Sequence, residues 1–160
     1  MAWVLMLAIV VLAIVYVFYN YGRIRKMSEG TPEMAEMAGI IRSGASTFLK
    51  TEFRTVAIVV VLVAVVFSLF VEKTSGITFI LGALMSSTVC VLGMRSATYA
   101  NVRTANAARK TLSIGETVKV ALCGGSISGL SVQAFGMLGL LLVLLIWNGV
   151  HYQAEGTGLW

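Results

Sequence analysis

Four long apolar runs alternate with shorter polar segments along this chain of 160 residues. The runs are Ala2–Tyr19, Thr55–Val71, Gly76–Met94 and Ala121–Trp147. Each is near or above the roughly 18 residues that indicate a bilayer-spanning helix. Open strands are excluded because their unpaired backbone groups are too costly in lipid. The pattern predicts one all-α, polytopic membrane domain with transmembrane helices at residues 2–20, 54–72, 75–95 and 118–148.

The first and third polar connections each contain a predicted helix start. Thr31 is placed to cap a helix that has Pro32 at its first position. Apolar residues then recur at steps of three and four through residues 34–48, which is typical of an amphipathic helix. No further proline follows, so this cytoplasmic segment, residues 31–53, is predicted to run directly into the second span. Ser113–Glu116 resembles a capping box that starts the fourth helix.

Composition supports a membrane protein, and charge predicts its orientation. The chain is 58% hydrophobic and 12% charged, whereas soluble domains are about half apolar and a quarter charged. Eleven of the twelve basic residues lie between the first and second runs or between the third and fourth. Because Lys- and Arg-rich loops stay in the cytoplasm, these segments are predicted inside and both chain ends outside. Trp3 and Trp160, near the outer ends, fit an interfacial aromatic belt.

Small and polar residues distinguish the third and fourth spans from the first two. Gly125-x-x-x-Gly129 is a pattern that lets membrane helices approach closely. Gln133 is predicted to be a buried polar group, either linking helices by hydrogen bonds or lining a transport path. The inner halves of both spans are therefore predicted to face protein.

The third span is predicted to continue as a helix beyond the membrane, in an extension and loop at residues 96–117. At about 100° per residue, Arg95 and Arg103 share one face, while Ala97 and Ala100 share the other. The small face permits tight packing on another helix. The basic face is predicted to carry inner-leaflet charge, with an acidic protein or an anionic substrate as alternative partners.

No catalytic, cofactor-binding or metal-binding residue is recognisable. The chain has no aspartate, and none of its seven glutamates lies in the middle of a span. A proton or cation carrier normally needs an ionisable group at membrane depth. A phosphate-binding glycine loop and a His/Glu metal motif are also absent. Basic charge spread along membrane borders indicates lipid rather than nucleic acid as the partner.

Three segments resemble the membrane-bound pyrophosphatases, which are ion pumps driven by diphosphate hydrolysis. They are Ile41–Phe53, Gly93–Ala105, and Lys119–Ala121 together with Gly124–Val132. The resemblance covers nearly the whole chain in the family's order and corresponds to the family's first four helices.

The resemblance implies a homodimeric pump of about sixteen transmembrane helices in two concentric rings, with this chain in the outer ring. It implies hydrolysis of diphosphate at the cytoplasmic face, coupled to outward pumping of H⁺ or Na⁺ across a bacterial or archaeal cell membrane. The active site would use Mg²⁺, with K⁺ as a further cation, held by aspartate-rich motifs later in the polypeptide. The present chain is therefore expected to be an N-terminal scaffold that is inactive alone.

Two other interpretations stay open. A self-contained four-helix scaffold or assembly protein without catalysis explains the missing site equally well, but not the family-like segments. A small four-helix exporter is expected to carry a carboxylate inside a span, which this sequence lacks. A reading frame that continues past Trp160 into aspartate-rich segments would favour the pump, and a natural stop there would favour the scaffold.

Overall fold

Four long α-helices make up the described part of the chain. The computed structural model describes residues 2–155, with side chains for 4–72 and 74–147. The helices are α1 (Ala2–Lys26), α2 (Pro32–Phe70), α3 (Lys73–Thr111) and α4 (Ile114–Glu155). All four are long and apolar enough to cross a membrane, and no strand occurs within residues 2–155. The predicted all-α, polytopic class is confirmed, whereas Trp3 and Trp160 lie outside the described side chains.

α2 joins the amphipathic segment and the second span into one continuous helix, as predicted. Thr31 caps it with an extended backbone (φ −77°, ψ 162°) and a hydroxyl that accepts a hydrogen bond from the Met34 amide at 3.4 Å. Pro32 lies in the first turn, where no amide hydrogen is needed. The 39 residues of α2 correspond to about 58 Å, against about 30 Å of hydrocarbon. α2 is therefore long enough to extend well beyond a bilayer core.

α3 ends and α4 begins within a few residues. Leu112 adopts a left-handed conformation (φ 50°), and α4 begins at Ile114, where the sequence predicts a start. The prediction of a capping box is wrong, because the Ser113 amide donates to Thr111 Oγ1 and not to the Glu116 carboxylate. The carboxylate of Glu116 instead accepts a hydrogen bond from Lys119 at 2.6 Å. A lysine one turn further along the helix offers that carboxylate a charged partner.

Helices that follow one another in the sequence are not always neighbours. α1 packs on α4, α4 on α3 and α3 on α2, with a smaller contact between α1 and α3. Among the described residues, no Cα atom of α1 lies within 8 Å of a Cα atom of α2. The connections at 27–31 and 112–113 lie at the same end, where Arg103 bonds to Met27. We call this the basic end, because most of the Lys and Arg residues lie towards it.

A small apolar core lies between α1, α3 and α4 towards the basic end. Its buried members are Val17, Ile24, Ala100 and Ile127. α3 and α4 approach closely here, because a Cβ atom on Gly124 would clash with Ala100. The hydroxyl of Ser96 donates to the Gly124 carbonyl at 2.9 Å across the same contact. Ala100, on the small face of α3, thus lies directly against α4.

Much of the remaining apolar surface is exposed. Leu12 on α1 is 69% exposed and Leu62 on α2 is 62% exposed. Lipid tails are as apolar as these side chains, so such surfaces need no protein cover in a bilayer. Cys123 is partly buried against the core, but Cys90 is exposed, and both are free thiols.

Candidate functional site

Polar side chains from α2, α3 and the α1–α2 connection meet at the basic end. They are Glu29, Arg42, Tyr99, Arg103 and Asn106, and we call this group the arginine junction. Arg103 is only 5% exposed and Asn106 only 4%. A buried charge is costly unless it is paired and hydrogen-bonded, so the contacts of Arg103 show what this group does.

The guanidinium of Arg103 binds the end of α1. Its Nε donates to the Met27 carbonyl at 3.0 Å, and its Nη2 donates to the Arg25 carbonyl at 3.4 Å. The Nη1 donates to the Tyr99 carbonyl of its own helix at 2.8 Å. The last carbonyls of a helix lack partners within that helix and carry partial negative charge. Arg103 therefore caps the C-terminus of α1 from α3.

Glu29 is held by two arginines. Both Arg42 Nη atoms donate to its two carboxylate oxygens, with Nη2 and Oε2 at 3.0 Å, and Arg103 Nη2 lies 3.0 Å from Oε1. Bidentate charge-assisted pairs of this kind are among the stronger hydrogen bonds in proteins. The hydrogen bonds from Arg42 are the largest cause of a lowered Glu29 pKa, below its usual 4.5, and they outweigh the opposing effect of partial burial. Glu29 is consequently a carboxylate at neutral pH.

The ring of Tyr99 lies among three guanidinium groups. The Cζ atoms of Arg42, Arg103 and Arg25 are 4.9, 5.4 and 5.8 Å from the ring centroid. All three distances fall within the range of a cation–π attraction. The ring of Tyr21 meets Tyr99 edge to face, with centroids 6.0 Å apart. One aromatic ring thus helps to hold basic residues from α1, α2 and α3.

Asn106 fixes the rest of the α1–α2 connection. Its Nδ2 donates to the Ser28 carbonyl at 3.1 Å. Gly30 has a φ of 102°, and a Cβ atom there would lie 2.9 Å from Asn106 Oδ1. Only glycine adopts this conformation without strain, and only glycine leaves room for the asparagine. The connection is therefore fitted closely against α3.

These contacts hold helices together and leave no reactive group free. The single carboxylate of the junction, Glu29, is engaged by Arg42 and Arg103. Among the side chains that the structure describes, no cluster of three or more His, Cys, Asp or Glu residues is suited to a metal ion. The described residues thus do not fit the Mg²⁺ that the resemblance implies. The arginine junction is a structural site.

The structure brings together only two of the predicted interface residues. Arg103 and Ala100 are buried, whereas the other five are exposed: Arg95, Ala97, Gly125, Gly129 and Gln133. Arg103, on the basic face of α3, is covered by the end of α1. Gln133 is exposed and is not buried among the described helices. Interface roles for the five exposed residues stay predictions.

Two contact residues, Glu29 and Asn20, were not predicted from the sequence. The sequence gives only a weak indication of a contact at Glu29, namely its position just before the helix start at Thr31. The indication is clearer for Asn20, because it is a polar residue at the end of an apolar run. Its side chain is 3% exposed, and its Nδ2 donates to Ser126 Oγ at 3.0 Å. Gly124 belongs to the small residues of the fourth span, and it is Gly124 rather than Gly125 that lies against Ala100.

Comparison with known proteins identifies the family. The model of the inorganic H⁺ pyrophosphatase family matches residues 11–158. A K⁺-stimulated, pyrophosphate-energized sodium pump of Thermotoga maritima is 42% identical over 141 residues, which is 88% of this chain and 19% of the pump. A K⁺-insensitive, pyrophosphate-energized proton pump of Moorella thermoacetica is 34% identical over 140 residues, 87% of this chain and 20% of the pump. The chain thus spans about a fifth of the length of these relatives. It belongs to the inorganic H⁺ pyrophosphatase family.

Proposed function

We propose that this chain is the scaffold section of a membrane pump that hydrolyses diphosphate to phosphate and couples the reaction to outward transport of H⁺ or Na⁺. The family match over residues 11–158 carries this proposal. The names of the relatives support both ions, since they include a sodium pump and a proton pump.

The arginine junction supports a scaffold role for this section. It joins α1, α2 and α3 at the basic end through contacts that use its only carboxylate. We place the diphosphate site, its Mg²⁺ and any K⁺ on residues outside this chain. The residues outside this chain would perform hydrolysis, while the four helices described here would hold the neighbouring helices of the pump in position.

The proposed orientation puts the basic end in the cytoplasm and the N-terminus outside. Eleven of the twelve basic residues support it, because positively charged loops are retained on the inner side. We propose that the complete pump is a homodimer in a bacterial or archaeal cell membrane. In it these helices would form part of the outer ring, in keeping with their exposed apolar surfaces.

A chimeric pump tests this function. The matching segment of the Thermotoga maritima pump is replaced by this chain, and both the chimera and the 160-residue chain alone are placed in sealed vesicles. The chimera is expected to release phosphate from diphosphate and to accumulate the transported cation, measured separately with Na⁺ present and absent. The chain alone is expected to do neither.

Two outcomes would contradict the proposal. Diphosphate hydrolysis by the chain alone would place the reaction on these residues. A chimera that reaches the membrane but stays inactive, beside an active parent pump, would show that this chain does not serve as its scaffold.

A further inference from the structure

A cavity opens between α1 and α2 at the basic end. Among the described residues the backbones of the two helices stay apart, with no Cα atoms within 8 Å of each other, and residues of α3 line the cavity between them. The cavity has a volume of about 510 Å³, which lies within the usual range for sites that bind small molecules. It shares Arg42 and Tyr99 with the arginine junction, whereas Glu29, Arg103 and Asn106 do not line it.

Positive charge dominates the polar part of this cavity. Arg25, Arg42, Lys50 and Arg95 line it, and no carboxylate does. Arg42 is paired with Glu29 from outside the cavity. The ion pairs among the described residues include none with Arg25, Lys50 or Arg95. Three cations therefore surround the space without a protein counter-ion, and this arrangement favours an anion.

Four residues with hydroxyl groups, Tyr21, Ser46, Thr98 and Tyr99, also line the cavity, and the remainder of the lining is apolar. Leu49, Phe53, Val91 and Met94 contribute to it. Phe53 lies at the border of the second apolar run, and Val91 and Met94 lie at the end of the third. The cavity thus passes from charged to apolar where the helices would leave the hydrocarbon. A ligand that fits both parts has an anionic head and an apolar tail.

We propose that this cavity binds an anionic phospholipid, with the phosphate among Arg25, Lys50 and Arg95 and an acyl chain along the apolar side. Basic pockets between transmembrane helices are suited to anionic lipid head groups. A soluble anion such as diphosphate would use the cations but leave the apolar lining without a partner. The lipid would fill the gap between α1 and α2, two helices that the protein itself leaves apart. The proposal rests on the cavity and is independent of the pump activity.

Native mass spectrometry of the full 160-residue chain, extracted from membranes in mild detergent, tests the proposal. Phosphatidylglycerol and phosphatidylcholine are added at equal concentration, and the retained lipid is counted. Phosphatidylglycerol is expected to be retained in clear preference. Arg25→Gln combined with Arg95→Gln is expected to lower its retention about tenfold, since each basic residue contributes to the attraction.

A matched pair of substitutions controls for surface charge. Arg23→Gln combined with Lys110→Gln removes two exposed basic side chains from the same end, and neither lines the cavity. This pair is expected to keep the preference. If Arg25→Gln combined with Arg95→Gln prevents folding, as judged by circular dichroism, Lys50→Gln is used in its place, because that side chain is exposed. Lys50→Gln is expected to lower the retention of phosphatidylglycerol severalfold.

Three results would overturn the proposal. Equal retention of the two lipids would show that the cavity does not select a charged head group. Equal losses from the cavity pair and the control pair would show diffuse attraction to the surface. Displacement of phosphatidylglycerol by inorganic phosphate or diphosphate at matched concentration would assign the cavity to a soluble anion.

Discussion

At the scale of single residues, the role of Arg103 follows from its burial. A basic residue on a helix extension is ordinarily exposed, but Arg103 lies beneath the α1–α2 connection and is 5% exposed. Its guanidinium has several donors in a fixed plane, and Met27 and Tyr99 each offer a carbonyl within 3.0 Å. A lysine has one compact ammonium group and would not match these positions.

Replacing Arg103 with glutamine is expected to destabilise the chain by roughly 2–4 kcal/mol, because buried acceptors lose charged donors. Arg103→Lys is expected to recover only part of this loss. The free energy of unfolding in mixed micelles, followed by circular dichroism, measures the effect. Arg23→Gln is the control, since that arginine is exposed on α1. An equal effect of Arg103→Gln and Arg23→Gln would contradict the capping role.

The lowered pKa of Glu29 predicts a dependence of stability on pH. Hydrogen bonds from Arg42 stabilise the carboxylate in the folded state, so the folded pKa lies below the usual 4.5. The added stability is fully present above pH 4.5 and is lost as the pH falls through the folded pKa. Glu29→Gln should therefore be less stable than the unchanged chain at pH 7, and the difference should shrink below pH 4.5.

Unfolding experiments in pH steps from 7 downward measure this difference. Glu36→Gln is the matched control, because Glu36 is exposed and makes none of the ion pairs found among the described residues. Its stability difference is expected to stay near zero throughout. A gap between Glu29→Gln and the unchanged chain that stays constant below pH 4.5 would rule out the proposed ionic role.

At the scale of helices, local patterns predict where each helix begins but not which face it presents. Thr31 and Pro32 define the start of α2, because capping depends on residues close in sequence. Gly124 and Gly125 illustrate the limit. They point about 100° apart on α4, and only Gly124 meets α3. The deciding contacts, from Ala100 and Ser96, lie more than twenty residues away in the sequence and leave no local signal.

These two glycines make a matched pair of substitutions. Gly124→Ala is expected to destabilise the chain by about 1–3 kcal/mol, because the new Cβ atom would overlap Ala100 and force α3 and α4 apart. Gly125→Ala has no atom within 4 Å of its new Cβ and is expected to be neutral or to stabilise the helix by up to about 1 kcal/mol. Thermal unfolding in micelles compares them. If Gly125→Ala lowered the stability more than Gly124→Ala, then α4 would contact α3 through Gly125 and not through Gly124.

At the scale of the molecule, the sequence predicted four membrane helices but not their neighbours. The membrane spans of α1 and α2 consist largely of Val, Ile, Leu and Ala, and such surfaces pack on lipid and protein alike. α1 packs on α4, and the two helices are joined by the hydrogen bond from Asn20 to Ser126, two residues that are 106 positions apart in the sequence. Gly129 and Gln133 lie on an exposed face of α4. The residues of this face are small or polar, whereas the exposed residues in the membrane span of α1 are mostly large and apolar. If the chain is a pump scaffold, this face is where the remainder of the pump should pack.

Oxygen accessibility of spin labels distinguishes these two surfaces, since oxygen concentrates in the bilayer and is excluded from protein contacts. Labels are placed one at a time at Gly129→Cys on α4 and Leu12→Cys on α1, after Cys90 and Cys123 are replaced by serine. In the chain alone, both sites are exposed, and both labels should report high oxygen accessibility in vesicles. In the chimeric pump, the label at position 129 should become protected because the remaining helices cover it, whereas the label at position 12 should stay accessible. Protection at position 12 with continued access at position 129 would reverse the assignment and place the lipid against α4.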